Sequence, residues 1–219
     1  MGNLFIGENQ MKGFNYLITG EICSGKDSAG EYFNGYIRKA FANNLKIVCR
    51  LIRIGDFEGA EKHLTYLFNG NPPCNMKAKL IEFAQTPIDG EKDRSLLQTL
   101  GTKWARKHYP DIWADAIKKE LKPENKYLIL DCRFLNEFTA FPDWKSIYID
   151  CPLEIRKERA IKRDGCWNDD WASSPAEAEI RKLQDLCDYT VFNDSTLEDL
   201  KAQIEAILEF DNFVRGEVI

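Results

Sequence analysis

Phe14-Asn15-Tyr16-Leu17-Ile18-Thr19-Gly20-Glu21-Ile22-Cys23-Ser24-Gly25-Lys26-Asp27-Ser28 is the stretch from which the architecture of the chain is read. Its first six residues are a short β-prone run, followed by the spacing G-x-x-x-x-G-K at Gly20, Gly25 and Lys26. Ala29, Tyr32, Phe33, Tyr36, Ile37 and Ala40 then recur at helical intervals and predict a helix. Glycines between a strand and a helix let successive N–H groups converge on phosphate oxygens, and the helix start adds its positive end. A lysine at this place reaches the β- and γ-phosphates. Gly20, Cys23, Ser24, Gly25, Lys26, Asp27 and Ser28 are therefore candidate nucleotide contacts. Asp27 stands where Ser or Thr usually contacts magnesium. Either Asp27 holds the metal, through water, or Ser28 takes that contact in a register shifted by one.

Working outward, Ile47, Val48, Leu51 and Ile52 predict a second helix. Residues 69–93 hold three prolines and two glycines and read as loop, with a short helix around Ala78 to Phe83. Helical spacing returns from Arg94 to His108, and Pro110-Asp111 opens another helix bearing Ile112, Trp113, Ala116, Ile117 and Leu121. Two compact apolar runs, Tyr127 to Asp131 and Ser146 to Asp150, suit central strands covered on both faces. Pro152 starts a helix through Lys162, a further strand spans Tyr189 to Phe192, and a Ser195-x-x-Glu198 capping box opens the closing helix. Strands alternating with helices imply right-handed βαβ units around a parallel sheet. Residues 1–13 read as a loose lead-in.

Several other groups carry chemistry. Asp131 and Arg133 follow a strand whose carboxyl end is where ligands bind in an open α/β sheet. Asp131 is a candidate for magnesium or for orienting an acceptor phosphate, and Arg133 offers a planar fork for a phosphate oxygen. The alternative is that Asp131 merely caps a loop and pairs with Arg133. Arg156, Arg159 and Arg163 share one helix face before the loop Gly165 to Ser174, an arrangement suited to a lid over transferring phosphates. Pairing of that face with Glu154 and Glu158 is its structural counterpart. Arg94, Gln98, Arg106 and Trp113 are candidates for holding a base and its monophosphate, whereas the periodicity of Leu97, Leu100 and Trp104 marks core.

Composition bounds these readings. The 219 residues are 44% hydrophobic and 30% charged, enough for one oversized domain with its own core and not for wholesale disorder. A formal net charge of −5 excludes a broad polyanion-binding surface, so nucleic acid is not an expected partner and any phosphate site is local. Seven cysteines occur without a C-x-x-C, alongside only two histidines, which argues against a zinc knuckle. No apolar run approaches the roughly 18 residues of a membrane span. A reduced, soluble protein of the cytoplasm is expected. Cys23 and Cys132 lie inside the two candidate loops, so thiol reagents are expected to inhibit.

Four segments together resemble the bacteriophage-type deoxynucleoside monophosphate kinases. They are GEICSGKDS (Gly20 to Ser28), FANNLK (Phe41 to Lys46), LLQTLGTKWAR (Leu96 to Arg106) and ILDCRFLNEF (Ile129 to Phe138). The resemblance spans roughly residues 14–208, and that family also favours Asp after the loop lysine. It implies a three-layer P-loop NTPase fold with a parallel sheet of about five strands. Residues 14–40 and 122–219 would form the core, residues 41–121 a helical substrate-binding insertion, and about 163–176 the lid.

It further implies ATP with Mg²⁺ as donor, a deoxynucleoside monophosphate as acceptor, and the host cytoplasm if the chain is phage-encoded. A homodimer is compatible with it. Lys46, Arg106, Arg133 and Glu137 become acceptor-side residues. Lys26, Asp131, Arg133, Arg159 and Arg163 become catalytic, Arg156 and Arg159 join the ATP site, and Asp27, Ser28 and Asp131 would organise the metal. Dephospho-coenzyme A kinase is the nearest alternative, since Tyr148 to Leu208 is similar to its C-terminal half. A nucleotide-dependent switch protein is a more distant one, resting on Asp56-Phe57-Glu58-Gly59.

Overall fold

The computed structural model describes residues 13–88, 93–173 and 175–216. The lead-in before Gly13, the tip of the loop at residues 89–92 and the lid residue Ser174 lie outside the described residues. Five strands, β1 (Tyr16–Thr19), β2 (Ile37–Lys39), β3 (Tyr127–Ile129), β4 (Lys145–Asp150) and β5 (Tyr189–Phe192), form one parallel sheet in the order β2-β3-β1-β4-β5. Tyr16 and Leu17 align with Leu128 and Ile129 on one side, and Tyr16 to Thr19 align with Lys145 to Tyr148 on the other.

Alternation along the strands divides the core in two. Leu17 and Ile129 face a large cluster built with the middle helices. Tyr16, Ile18, Leu128, Ile147, Ile149 and Val191 face a smaller one with Phe33 and the closing helix.

The first helix is shorter than its apolar spacing predicts. α1 covers only Lys26–Gly30, after which the chain runs through i→i+3 turns at Glu31, Tyr32, Phe33 and Tyr36. Those turns keep Phe33 buried, with Tyr32 and Tyr36 packed against its cluster, so the helical spacing survives without the helix. Ile37–Lys39 is then free to pair with β3 as an edge strand.

Between β2 and β3 come α2 (Ala42–Arg53), α3 (Phe57–Leu67), α4 (Met76–Ala84), α5 (Arg94–Leu96), a π-helix (Leu97–Ala105), α6 (Arg106–His108) and α7 (Ile112–Lys118). Val48, Ile52, Leu64, Leu80, Leu100, Trp113 and Ile117 from these helices are buried in the same cluster as Leu17 and Ile129, so this region shares its core with the sheet. Each such side chain contributes about 1.5–3 kcal/mol by leaving water. Asp56, from the motif considered for a switch protein, accepts a hydrogen bond from Gly59 N at 2.9 Å and caps α3.

After β3 follow α8 (Leu135–Thr139), α9 (Leu153–Asp164), α10 (Asp169–Ala172), α11 (Pro175–Leu183), a 3₁₀ turn (Gln184–Leu186) and α12 (Leu197–Val214). The capping box of α12 is Thr196 with Asp199, one residue later than expected, and Ser195 donates to the same Asp199 carboxylate at 2.7 Å. Asp211 near the end of α12 is buried and accepts hydrogen bonds from Tyr16 Oη (2.6 Å) and Tyr189 Oη, pinning the helix to β1 and β5.

Candidate active site

The loop after β1 curls through two left-handed residues, Cys23 (φ 60°) and Gly25 (φ 98°), before α1 begins at Lys26. A side chain at residue 25 would suffer twice: its φ is one that L-residues rarely adopt, and a Cβ would collide with Asn193 Nδ2. Asn193, just after β5, donates from Nδ2 to Ser24 O at 2.7 Å. Arg159 from α9 donates to Asn193 O and Oδ1 at 3.2 and 3.1 Å and reaches Ser24 O at 3.4 Å. Arg159 and Asn193 thus both hold the carbonyl of Ser24.

Lys26 folds back, donating from Nζ to Gly20 O (2.6 Å) and Glu21 O (2.8 Å). Burial, then the nearby positive charge of Arg133, holds its pKa down to about 8. The exposed arginine of the second motif stands in the field of the phosphate-loop lysine, although 107 residues separate them in sequence.

The segment Asp131 to Glu137 explains how. Asp131 accepts backbone N–H bonds from Phe41 (2.9 Å) and Ala42 (3.0 Å), with one oxygen for each, and so caps α2 and the FANNLK segment. Cys132 O accepts from Thr19 Oγ1 at 2.8 Å, which ties the segment to the end of β1. Glu137, 2% exposed, accepts from Arg133 N (2.8 Å) and Phe134 N (3.1 Å) through Oε2, while Oε1 pairs with Arg106 Nη2. The Arg106 guanidinium also lies over the Phe134 ring, 4.3 Å from its centroid. One seven-residue stretch therefore joins β1, α2 and the π-helical region.

Burial raises the pKa of Asp131, against the two N–H bonds and the charges of Arg133 and Lys46. Arg133 thus acts on both Lys26 and Asp131, Lys46 acts on Asp131, and Glu137 links the backbone of Arg133 to Arg106.

Three expectations from sequence need correction. Asp131, expected to organise the metal, instead accepts a backbone N–H with each oxygen, because a carboxylate at this strand end meets the start of α2. Trp113 was assigned to substrate, but it is 2% exposed and donates to Gly101 O at 3.4 Å within the core. Of the three arginines of α9, Arg156 and Arg159 do meet the loop, through Glu21 and Ser24 O, but at different depths, and only Arg163 is exposed as a lid residue would be. Arg156 is buried and pairs with Glu21 at 2.9 Å, Arg159 clamps the loop, and exposed Arg163 pairs with Asp164 at 2.6 Å. Helical spacing fixes angle around the axis, not depth against the sheet.

Arg94 is half-buried, and Gln98 and Lys46 are exposed. Asn193, Thr19 and Glu177 were missed. Of these, only the strand-end position of Asn193 carried a signal. Cys132 is buried, and burial, with Glu137 and Asp131, pushes its thiol well above the ordinary range, so it is not a target for thiol reagents.

Asp27 is exposed on the first turn of α1 with Ser28 beside it, two hard oxygen donors next to the loop. Among the described residues no three His, Cys, Asp or Glu side chains cluster as a metal cage. Mg²⁺ is held by one or two protein oxygens together with substrate phosphates, a donor set of the kind Asp27 and Ser28 offer.

Against solved structures, the chain is similar to TT1252 of Thermus thermophilus over 91% of its own length and 98% of that chain, at 19% identity and a TM-score of 0.50. The fold is the P-loop fold. Looser likenesses, with TM-scores of 0.47 and 0.46, are to a dephospho-CoA kinase from Campylobacter jejuni and a sugar kinase from Janibacter sp.. Those two cover 90% of this chain at 15% and 14% identity, and 96% and 95% of the respective partner chains. No family model and no curated protein matches the sequence. A P-loop fold places the phosphate loop at the carboxyl end of a central strand, as β1 does here, and among the described residues no helix is long and apolar enough to cross a membrane.

Proposed function

We propose that this protein is a deoxynucleoside monophosphate kinase, transferring the γ-phosphoryl group of ATP to the 5′-phosphate of a deoxynucleotide to give the diphosphate and ADP. One observation carries the reading. The four segments on which the family resemblance rests are linked: Asp131 holds FANNLK, Glu137 holds the arginine of LLQTLGTKWAR, and the charge of Arg133 acts on Lys26.

In this reading an acceptor phosphate oxygen attacks the γ-phosphorus in line. The bond from phosphorus to the β,γ-bridging oxygen breaks, and its electrons leave with ADP. The acceptor oxygen is ionised at pH 7, so no strong general base is required and positioning with charge neutralisation does the work. Lys26 swings from the Gly20 and Glu21 carbonyls to the donor phosphates, and Arg133 meets the transferring group from the acceptor side. Arg106, oriented by Glu137, and Lys46 bind the acceptor phosphate. Asp27 and Ser28 would hold Mg²⁺, whose charge neutralises the donor phosphates.

ADP release, measured with ATP against dGMP, dTMP, dCMP, dAMP, hydroxymethyl-dCMP and dephospho-coenzyme A, tests the proposal. Turnover of at least one deoxynucleotide is expected. Turnover of dephospho-coenzyme A alone would establish the second reading, which Tyr189-Thr190-Val191-Phe192-Asn193-Asp194 favours through its loop-holding Asn193.

A further inference from the structure

One contact at the phosphate loop belongs to neither the motifs nor the mechanism. Glu177, on α11, is 4% exposed and accepts a hydrogen bond from the loop's own Ile22 N at 2.9 Å. A curled loop of N–H groups is built to receive anions, and here one donor holds a carboxylate from the same chain. Glu177 also sits within the field of Lys26: burial and Arg133 lower the pKa of that lysine, and Glu177 is the largest influence raising it.

The helix that carries Glu177 is fastened to the loop a second time. Arg181, one turn on, pairs with Glu21 at 2.7 Å, and buried Arg156 takes the other Glu21 oxygen at 2.9 Å. The pairing leaves Glu177 and Glu21 together beside a loop that must accept a polyphosphate.

We infer that Glu177 competes with the donor's terminal phosphate for the loop, so that donor binding displaces its carboxylate and loosens α11. This rests on the reading of the loop as the donor site. The carboxylate and a γ-phosphate are both anionic and cannot share the same few N–H groups without strong repulsion. Displacement therefore costs ATP part of its affinity and in return makes α11, which follows the arginine helix and the α10 segment, responsive to the donor. ADP, which lacks the terminal phosphate, meets less of this competition.

The test compares wild type with Glu177→Gln and Glu177→Ala, using calorimetric titration with ATP and with ADP and hydrogen exchange of residues 175–183. Removing the charge should tighten ATP by about tenfold, the scale of one lost like-charge contact, and tighten ADP less. In wild type, ATP should raise exchange along α11. In Glu177→Ala, which removes the acceptor for Ile22 N, exchange should already be raised without nucleotide. The glutamine is isosteric and still accepts from Ile22 N, so it keeps the fold even where the alanine variant loses it, and melting curves identify such a loss.

Equal or weaker ATP binding by Glu177→Gln, or α11 exchange that ATP leaves unchanged, overturns the inference while leaving the donor site in place. Failure of wild type and both variants to bind any nucleotide overturns the inference and the reading of the loop together.

Discussion

Lys26 makes the donor site's dependence on pH calculable. Burial and the charge of Arg133 hold its pKa to about 8, against 10.5 for an ordinary lysine. A bound triphosphate returns the missing counter-charge, so in the complex Lys26 should be protonated throughout the range from pH 7 to 10. Binding ATP above pH 7 must then take up a proton: about 0.5 per molecule at pH 8 and about 0.9 at pH 9. Apparent affinity falls by the factor 1 + 10^(pH − 8), roughly twofold at pH 8 and elevenfold at pH 9, or about 1.4 kcal/mol at the higher pH. ATP itself does not confuse the measurement, because terminal phosphate groups with a pKa of about 6 are fully ionised there.

The assay is calorimetric titration at pH 8.0 and 9.0 in two buffers of different ionisation enthalpy. The slope of observed heat against buffer enthalpy counts the protons. Lys26→Arg should bind without uptake, since a guanidinium keeps its charge. The same lowered pKa means that between pH 8 and 10.5 the unfolded chain binds more protons than the native one. Nucleotide-free protein should therefore gain stability as pH rises through that window. Buffer-independent heats for wild type at both pH values would refute the placement of Lys26 in a buried, positively charged setting.

Three further outcomes are expected. Arg106→Ala leaves the Glu137 carboxylate buried without its counter-ion and should lower stability in urea by about 3–5 kcal/mol; a loss under 1 kcal/mol would mean that the pair is not buried in solution. Gly25→Ala should abolish nucleotide binding with little change in circular dichroism, because strain at φ 98° and the collision with Asn193 fall on the loop alone. In native protein, mass-resolved thiol labelling should modify exposed Cys74 and Cys166 quickly. Cys49, Cys132 and Cys187, whose thiols burial pushes upward, should remain unlabelled until the protein unfolds.

The parallel sheet was legible because burial on both faces leaves only one kind of residue available. Tyr127 to Ile129 and Ile147 to Ile149 are unbroken apolar runs, and both are strands. β2 was not legible. It is an edge strand of three residues, Ile37–Lys39, with two exposed side chains, and its apolar neighbours keep helical spacing while running through turns. The phosphate loop was legible because the backbone path it requires admits glycine at few places. Gly101 shows the same logic at a motif whose purpose was hidden: a Cβ there would strike the Leu45 side chain, so the LLQTLG glycine marks where the π-helix touches α2.

The acids of the site were harder to read than its glycines, for a reason intrinsic to carboxylates. A glycine is required by one conformation, whereas a carboxylate satisfies a metal, an arginine or two backbone N–H groups equally well, and sequence spacing does not say which is nearby. Asp131 met the start of α2, Glu137 met Arg106 and its own loop, and Glu177 met Ile22 N. Each choice was made by an element distant in sequence: 90 residues for Asp131 to Phe41, 31 for Glu137 to Arg106, and 155 for Glu177 to Ile22. The consequence runs from fold to chemistry. Acidic side chains take the structural positions, and buried Lys26 is left in the field of Arg133, which with burial lowers its pKa. In the proposed donor site, phosphate would relieve the field that holds Lys26 down, so the depressed pKa of Lys26 and the competing carboxylate of Glu177 would be two measures of one effect.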